Sequence, residues 1–326
     1  MRKKILITGA TGFIGSHLTE ICIKQNYNVV AFDRYNSNNN WGWLEHSKYK
    51  KNLEVILGDI RDFDSVFKAM KDCDSVFHLA ALVGIPYSYH SPLAYIKTNL
   101  EGTYNVLEAS KNLNLNQIIV TSTSEVFGTA QYSPIDEKHP LSAQSPYAAS
   151  KIAADQLALS YFRSFKLPVK IIRPFNTYGP RQSARALIPS VIIQSLEKNK
   201  IIKLGNLSPT RDFTFVGDVC RAYLAVLKCD KLFGEVINVG TKKEISVKDL
   251  THKILGMIDK KQIKVREDKQ RTRPKKSEVN RLICDNKKIF SETNWKPKFN
   301  LKQGLTETIK WFRKSKHLYK SEFYNI

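Results

Sequence analysis

Lys4-Ile5-Leu6-Ile7-Thr8 runs directly into Gly9-Ala10-Thr11-Gly12-Phe13-Ile14-Gly15, and this junction decides the fold. A short apolar run closed by a glycine turn has the pattern of a strand buried on both faces. A helical pattern follows from Phe13 to about Gln25. Glycines between a strand and a helix permit a tight turn, let the backbone approach a pyrophosphate, and let the helix pack closely on the strand. The first N–H groups of the helix then face the phosphates. Gly9, Thr11, Gly12, Phe13, Ile14 and Gly15 are the candidate cofactor contacts of this turn.

The pattern repeats outward. Val29-Val30-Ala31-Phe32-Asp33 reads as a second buried strand ending in an acid. Its position fits the ~20-residue spacing of an acid that bonds a ribose 2′-hydroxyl. Asp33 would repel a 2′-phosphate, which favours NAD over NADP; Arg34 is the residue able to accommodate such a phosphate. Further strands are predicted at Leu53–Leu57, Ser75–Leu79 and Gln117–Val120, with helical stretches at Asp62–Met70 and Ala94–Asn112 between them. Asp59 and Ile60 would lie beside the adenine, and Leu79, Ala80 and Ala81 beside the ribose and pyrophosphate. His78 reads as a packed core residue without chemistry. A long helix over Ser145–Phe165 and a strand over Val169–Ile172, stopped by Arg173-Pro174, complete the alternation. Strand, helix, strand, helix is the signature of an α/β fold, here a Rossmann-type doubly wound parallel sheet. Beyond Asn176 the alternation loosens into a smaller, partly helical lobe. The expected division is 1–175 plus about 212–240 for the cofactor domain, with 176–211 and 241–326 for the substrate lobe.

Length and composition agree. The 326 residues, 42% hydrophobic and 25% charged, exclude a disordered or fibrous chain. No apolar run approaches the ~18 residues of a membrane span, and the basic start has no long apolar stretch behind it, so no signal peptide is expected. Five cysteines without a CxxC spacing fit reduced thiols in a cytoplasmic protein. Seven histidines without HExxH or HxxxH spacing give a metal site no support. The net charge of +22 admits an NAD-sensing or RNA-binding protein on the same fold. Its basic residues are spread along the chain, densest from Lys260 to Arg281, rather than gathered in a recognition module. The expected partner is a small anionic molecule, not nucleic acid or membrane.

Tyr147 and Lys151 are four residues apart in the predicted long helix and share a face. A free tyrosine, with a pKa near ~10, is a poor base at neutral pH. A neighbouring ammonium, with an oxidised nicotinamide beside it, favours the phenolate. The phenolate can then take a proton from a sugar hydroxyl as hydride leaves the carbon.

The glycine turn, Thr121-Ser122-Thr123 at a strand end and Tyr147-x-x-x-Lys151 together resemble an extended short-chain dehydrogenase/reductase of the nucleotide-sugar epimerase and dehydratase group. Asn99 in Thr98–Thr103, the segment Arg173–Pro180 and the segment Arg211–Asp218 resemble motifs of the same family. The resemblance implies an NAD cofactor and a nucleotide-sugar substrate. It implies that Asn99 serves the cofactor, that Thr123 orients the sugar hydroxyl, and that Asn176, Arg211 and Arg273 hold the diphosphate. Val83 and Tyr87, within Leu82–Tyr89, would lie over the substrate, and Arg185 would border it.

The subclass turns on Thr123-Ser124-Glu125. Sugar 4,6-dehydratases commonly carry Thr-Asp-Glu, where Glu removes the C5 proton and Asp protonates the departing hydroxyl. Ser124 replaces that acid, as in GDP-mannose 4,6-dehydratases, and UDP-glucuronate decarboxylases share the pattern. The segments Ser145–Ala158 and Gly179–Ala186 resemble the nucleotide-activated N-acetylglucosamine 4,6-dehydratases of legionaminic acid biosynthesis. This implies GDP- or UDP-N-acetylglucosamine as substrate. A UDP-glucuronate decarboxylase and a 4-epimerase remain the alternative activities. The resemblance also implies a homodimer or larger homo-oligomer, built through the helices at about 94–112 and 145–165. No role is assigned to the aromatic tail from His317 to Ile326.

Overall fold

A computed structural model describes residues 2–197 and 201–319. Six parallel strands follow one another along the chain: β1 (Lys4–Thr8), β2 (Asn28–Arg34), β3 (Glu54–Gly58), β4 (Ser75–His78), β5 (Gln117–Thr121) and β6 (Val169–Pro174). The later strand Val236–Val239 joins the sheet beside β6. Across the sheet the order is Val236–Val239, β6, β5, β4, β1, β2, β3. The order reverses between β1 and β4, which opens a crevice beyond their carboxyl ends. The expected doubly wound parallel sheet is therefore present.

β1 shows why the sheet is buried on both faces. Ile5 and Ile7 enter one core, with Val219 and Tyr223 of the helix Val216–Leu227. Leu6 enters the other, with Val66, Val106 and Ala158. Alternation along the strand thus feeds two helical layers.

Two helices differ in detail from their predicted spans. The helix Phe63–Met70 starts one residue later than expected because Asp62 caps it, accepting a hydrogen bond from the Asp64 N–H. The stretch 94–112 is not uniform: Pro92–Tyr95 leads through a wider π-helical turn, Ile96–Glu101, into the helix Gly102–Asn112. β6 also passes through Arg173-Pro174 instead of stopping before them, with Val239 paired opposite Pro174. A proline is tolerated as the last residue of a strand, where few ladder bonds remain to be lost.

The remaining chain forms short pairings. Thr210–Asp212 lies between Glu244–Ser246 and Arg281–Leu282, and Ile201–Leu204 pairs with Lys264–Glu267. The helices Leu187–Leu196, Val247–Ile258 and Leu301–Ser315 pack around them. Tyr319 meets Trp311 edge-on and Phe312 at a tilt, and donates to the Gln182 carbonyl at 3.1 Å. Residues 320–326 of the aromatic tail lie outside the described residues. None of the described helices is long and apolar enough to cross a membrane.

Candidate active site

The helix α1 (Phe13–Lys24) begins at Gly12 without any side-chain cap, so its first N–H groups point into the crevice. Gly9 has φ +69°, and a Cβ there would meet the Ala80 nitrogen at 2.9 Å. A Cβ on Gly15 would lie 2.0 Å from the Gly9 carbonyl oxygen. Glycine is required at both positions, and the resulting cradle fits a dinucleotide pyrophosphate. Asp33 stands at its rim. Its Oδ2 accepts from the Thr11 N–H at 2.8 Å and the Thr11 hydroxyl at 2.6 Å, and its Oδ1 from the Arg34 N–H at 2.7 Å. This bonding fixes the carboxylate and leaves it acceptor capacity for ribose hydroxyls. Arg34 is exposed beyond it.

The other cofactor candidates divide. Leu79 and Ala80 donate their N–H groups to the Thr8 hydroxyl, each at 3.1 Å, and Ala81, partly buried, follows them in the loop after β4. The Asp59 carboxylate is paired with Arg61, which holds it below the usual carboxylate range. Ile60 is buried with its side chain against Gly102, and its carbonyl accepts from Asn105 at 3.0 Å. Asn99 is buried in the π-helical turn. Its amide donates to the Leu82 carbonyl at 3.0 Å and the Ser150 hydroxyl at 2.9 Å, and its oxygen accepts from Leu82 N–H at 2.8 Å. Both amide N–H groups are spent on the protein, so Asn99 braces the loop after β4 against the long helix. His78, bonded to Thr8 and Thr103, is pushed down to about 3 by burial and by Lys151. It is a neutral core residue, as expected.

The long helix spans Pro146–Phe165, with Ser145 capping it through the Ala148 N–H at 3.1 Å. Tyr147 and Lys151 are buried on its inner face. Three consecutive residues at the end of β5 meet three positions of that face, each four apart. The Thr121 carbonyl accepts from Lys151 Nζ at 2.6 Å. The Ser122 hydroxyl donates to Asp155 at 2.7 Å. Thr123 faces the Tyr147 hydroxyl and draws its phenol down.

The charge balance at Tyr147 differs from the expectation. Burial pushes its phenol well above the ordinary value; Thr123 draws it down, while Glu125, Tyr95 and Asp155 push it further up. The ammonium of Lys151 is committed to Thr121, and burial pulls it below the ordinary lysine value. In so enclosed a site desolvation outweighs the attraction that the spacing alone suggested.

Glu125 lies in the tight turn Ser124–Phe127, which Thr123 caps by accepting from the Glu125 N–H at 3.2 Å. The turn buries Ser124 and Glu125 beside Tyr147. Arg273 approaches Glu125 at 3.8 Å and Glu278 at 4.0 Å. Arg211 lies 3.8 Å from Glu278 and donates to the carbonyls of Thr210 at 2.9 Å and Val279 at 2.6 Å. Two guanidiniums thus meet in one cluster with two acids. Asn176 carries a buried amide oxygen without a hydrogen-bond partner. Over the other side, Val83 and Tyr87 are exposed around the short helix Ile85–His90. Arg185 rests its guanidinium on Gly84, close to Tyr95.

Four residues were not foreseen. Tyr95 meets Tyr147 edge-on, with ring centroids 6.1 Å apart. Glu278 joins the arginine cluster, five residues after Arg273. Asp155 and Arg173 form a buried ion pair at 2.9 Å behind the long helix. Only Asp155 left a local signal, since it continues the four-residue spacing of Tyr147 and Lys151.

The family model for GDP-mannose 4,6 dehydratase matches residues 6–308. The chain belongs to this family. Among its relatives, a putative UDP-glucose 4-epimerase of Methanocaldococcus jannaschii is 34% identical over 314 residues, covering 95% of this chain and 98% of that protein. A UDP-N-acetyl-alpha-D-glucosaminuronate decarboxylase of Bacillus cytotoxicus is 32% identical over 322 residues, covering 96% and 98%. The crystal structure of DesIV, a dTDP-glucose 4,6-dehydratase of Streptomyces venezuelae with NAD and TYD bound, superposes with a TM-score of 0.90. It is 28% identical and covers 97% of this chain and 99% of that one. These relatives are nucleotide-sugar enzymes, in agreement with the resemblance carried by the motifs, and they span three reactions.

Proposed function

We propose that the protein is an NAD-dependent nucleotide-sugar 4,6-dehydratase, a hydro-lyase that converts GDP- or UDP-N-acetylglucosamine to the 4-keto-6-deoxy sugar. The observation that carries this reading is Glu125, buried beside Tyr147 on a turn that Thr123 caps. An oxidoreductive step needs a base at O4; a second carboxylate in the same pocket serves a proton on a neighbouring carbon. The cradle of Gly9, Gly12 and Gly15, with Asp33 at its rim, would hold NAD, and Asp33 favours NAD over NADP. NAD held there would supply the hydride chemistry, as acceptor of the C4 hydride and its donor to C6.

The protein's own groups move the protons. Tyr147 accepts the proton of the 4-hydroxyl, which Thr123 orients. The resulting ketone acidifies C5–H, and Glu125 removes that proton. The C6 hydroxyl leaves as water on receiving a proton from Glu125, directly or through Ser124. A solvent proton returns to C5, so the sugar loses one water in total. Arg211, Arg273 and Asn176 hold the diphosphate; Val83, Tyr87 and Arg185 border the sugar.

The matching segments Ser145–Ala158 and Gly179–Ala186 support N-acetylglucosamine and a place in legionaminic acid biosynthesis. The reading includes a cytoplasmic homodimer, for which exposed Ile96, Tyr104 and Phe165 on the expected helices are the support. Ser124, standing where many dehydratases carry an acid, is shared by GDP-mannose 4,6-dehydratases and UDP-glucuronate decarboxylases, which makes decarboxylation of UDP-glucuronate the second reading, with 4-epimerisation behind it. The variant Glu125→Gln tests the choice. It should retain bound NAD and lose about 10²–10⁴-fold in turnover, whereas wild-type turnover would rule the dehydratase out.

A further inference from the structure

Asp155 lies one helical turn beyond Lys151 on the same buried face, and nothing in the proton transfers above uses it. It is fully buried. Its Oδ2 accepts from the Ser122 hydroxyl at 2.7 Å and from Arg173 Nε and Nη2 at 3.1 and 2.9 Å. Arg173, on β6, is also buried and packs over the Phe127 ring at 5.1 Å. Asp155 Oδ1 has no hydrogen-bond partner. A buried ion pair with one oxygen left unsatisfied is a poor device for stability, because desolvation consumes the attraction. Its location suggests another use. Ser122 stands between Thr121, which accepts from Lys151, and Thr123, which faces Tyr147 and caps the turn carrying Glu125. Holding Ser122 holds both neighbours.

We propose that Asp155, braced by Arg173 and Ser122, is a positioning residue for proton transfer at Tyr147: it seats the end of β5 against the long helix and supplies the buried counter-charge to Lys151. The proposal rests on Tyr147 being the proton acceptor. The charged and titratable groups around Lys151 are Asp155 and Tyr147 on its own helix, His78 on β4, and Arg173 on β6 behind Asp155. Glu125, on the turn after β5, acts on Tyr147. Burial pulls Lys151 down and Asp155 pushes it back up. Asp155 also pushes Tyr147 up. Removing it therefore lowers both titrations together.

The test is the pH profile of kcat for the full-length holoenzyme. Asp155→Asn removes the negative charge alone; it should lose about 10–100-fold in kcat with little change in KM and show both limbs of its profile moved to lower pH. The double variant Asp155→Asn, Arg173→Met removes the opposing charges together and leaves no lone buried ion; it should melt near the wild type and lose a similar factor in kcat with the limbs close to their wild-type positions. Asp155→Glu should restore much of the profile. A folded Asp155→Asn with an unmoved profile, or a folded double variant with wild-type kcat, overturns the proposal. Ser122→Ala keeps both charges and removes only the tie, so it serves even if the double variant does not fold. It should lose about 3–10-fold in kcat with the limbs in place, and wild-type kcat there also overturns the proposal. Tyr147→Phe separates the two levels. Full activity in Tyr147→Phe removes the base itself, while an inactive Tyr147→Phe beside an unmoved Asp155 profile removes only this inference.

Discussion

Lys151 Nζ donates to the carbonyl oxygen of Thr121 at 2.6 Å, which ties the catalytic helix to the end of β5. The bond fixes the lysine relative to Tyr147 one turn earlier and defines how the pair should titrate. Tyr147 must lose a proton to act, and burial holds its phenol above the ordinary value. Lys151 must keep its proton, and burial holds it below its ordinary value. Because Lys151 then discharges before the phenol, the reactive pair is a minor form: the rate should rise from neutral pH up to the Lys151 titration, level off there, and fall only once the phenol itself has titrated. Turnover measured across that range should show the rise and the plateau. Tyr147→Phe should abolish the rising limb along with about 10²–10⁴-fold of the rate.

Gly15→Ala should destroy cofactor binding. The added Cβ would sit 2.0 Å from the Gly9 carbonyl oxygen, which only a shift of α1 off β1 can relieve. The variant should purify without NAD and lose about 1–3 kcal/mol of stability, read by absorbance of the released cofactor and by urea unfolding. Full NAD content in this variant would contradict the cradle.

Arg273→Met should act on substrate affinity. Arg273 lies at the edge of the acid cluster and is 25% exposed, while Arg211 is nearly buried and bonded to two backbone carbonyls. Loss of one charged phosphate contact should raise KM for the nucleotide sugar about 10–100-fold and leave NAD content unchanged. Arg211→Met should in addition lower the melting temperature. A KM unchanged in Arg273→Met would remove that residue from the diphosphate site.

Acid should destabilise the protein through two histidines. Burial pushes His78 down to about 3 and His17 down to about 4. Below pH ~6.5 the unfolded chain takes up protons at both that the folded chain refuses, so folding weakens as pH falls. Each contributes a slope of about 1.4 kcal/mol per pH unit, from 6.5 down to 4 for His17 and further for His78. Urea unfolding at pH 6.5, 5.5 and 4.5 should show it, and His17→Gln should remove about half the slope.

How much of this was legible before any coordinates varies with sequence distance. β1, the glycine turn and the Tyr147–Lys151 spacing are local patterns, set by periodicities of two and of about four residues, and they appear where they were read. Thr123, Glu125, Arg211 and Arg273 were singled out individually through their motifs; their convergence depends on the order in which strands cross the sheet. Glu278 and Tyr95 carry no local mark, because their relevance arises only when distant segments close over Tyr147. Asn99 shows the opposite limit. Its motif singles it out, yet its bonds to Leu82 and Ser150 across 17 and 51 residues have no local mark in the sequence.

The most direct measurement of the central claim is mass spectrometry of products formed in heavy water without added NAD. GDP-N-acetylglucosamine, UDP-N-acetylglucosamine and UDP-glucuronate are each offered to the purified protein. Loss of one water from an N-acetylglucosamine nucleotide, with solvent deuterium retained at C5, is the predicted result. An unchanged mass with both, or loss of carbon dioxide from the glucuronate instead, would contradict it.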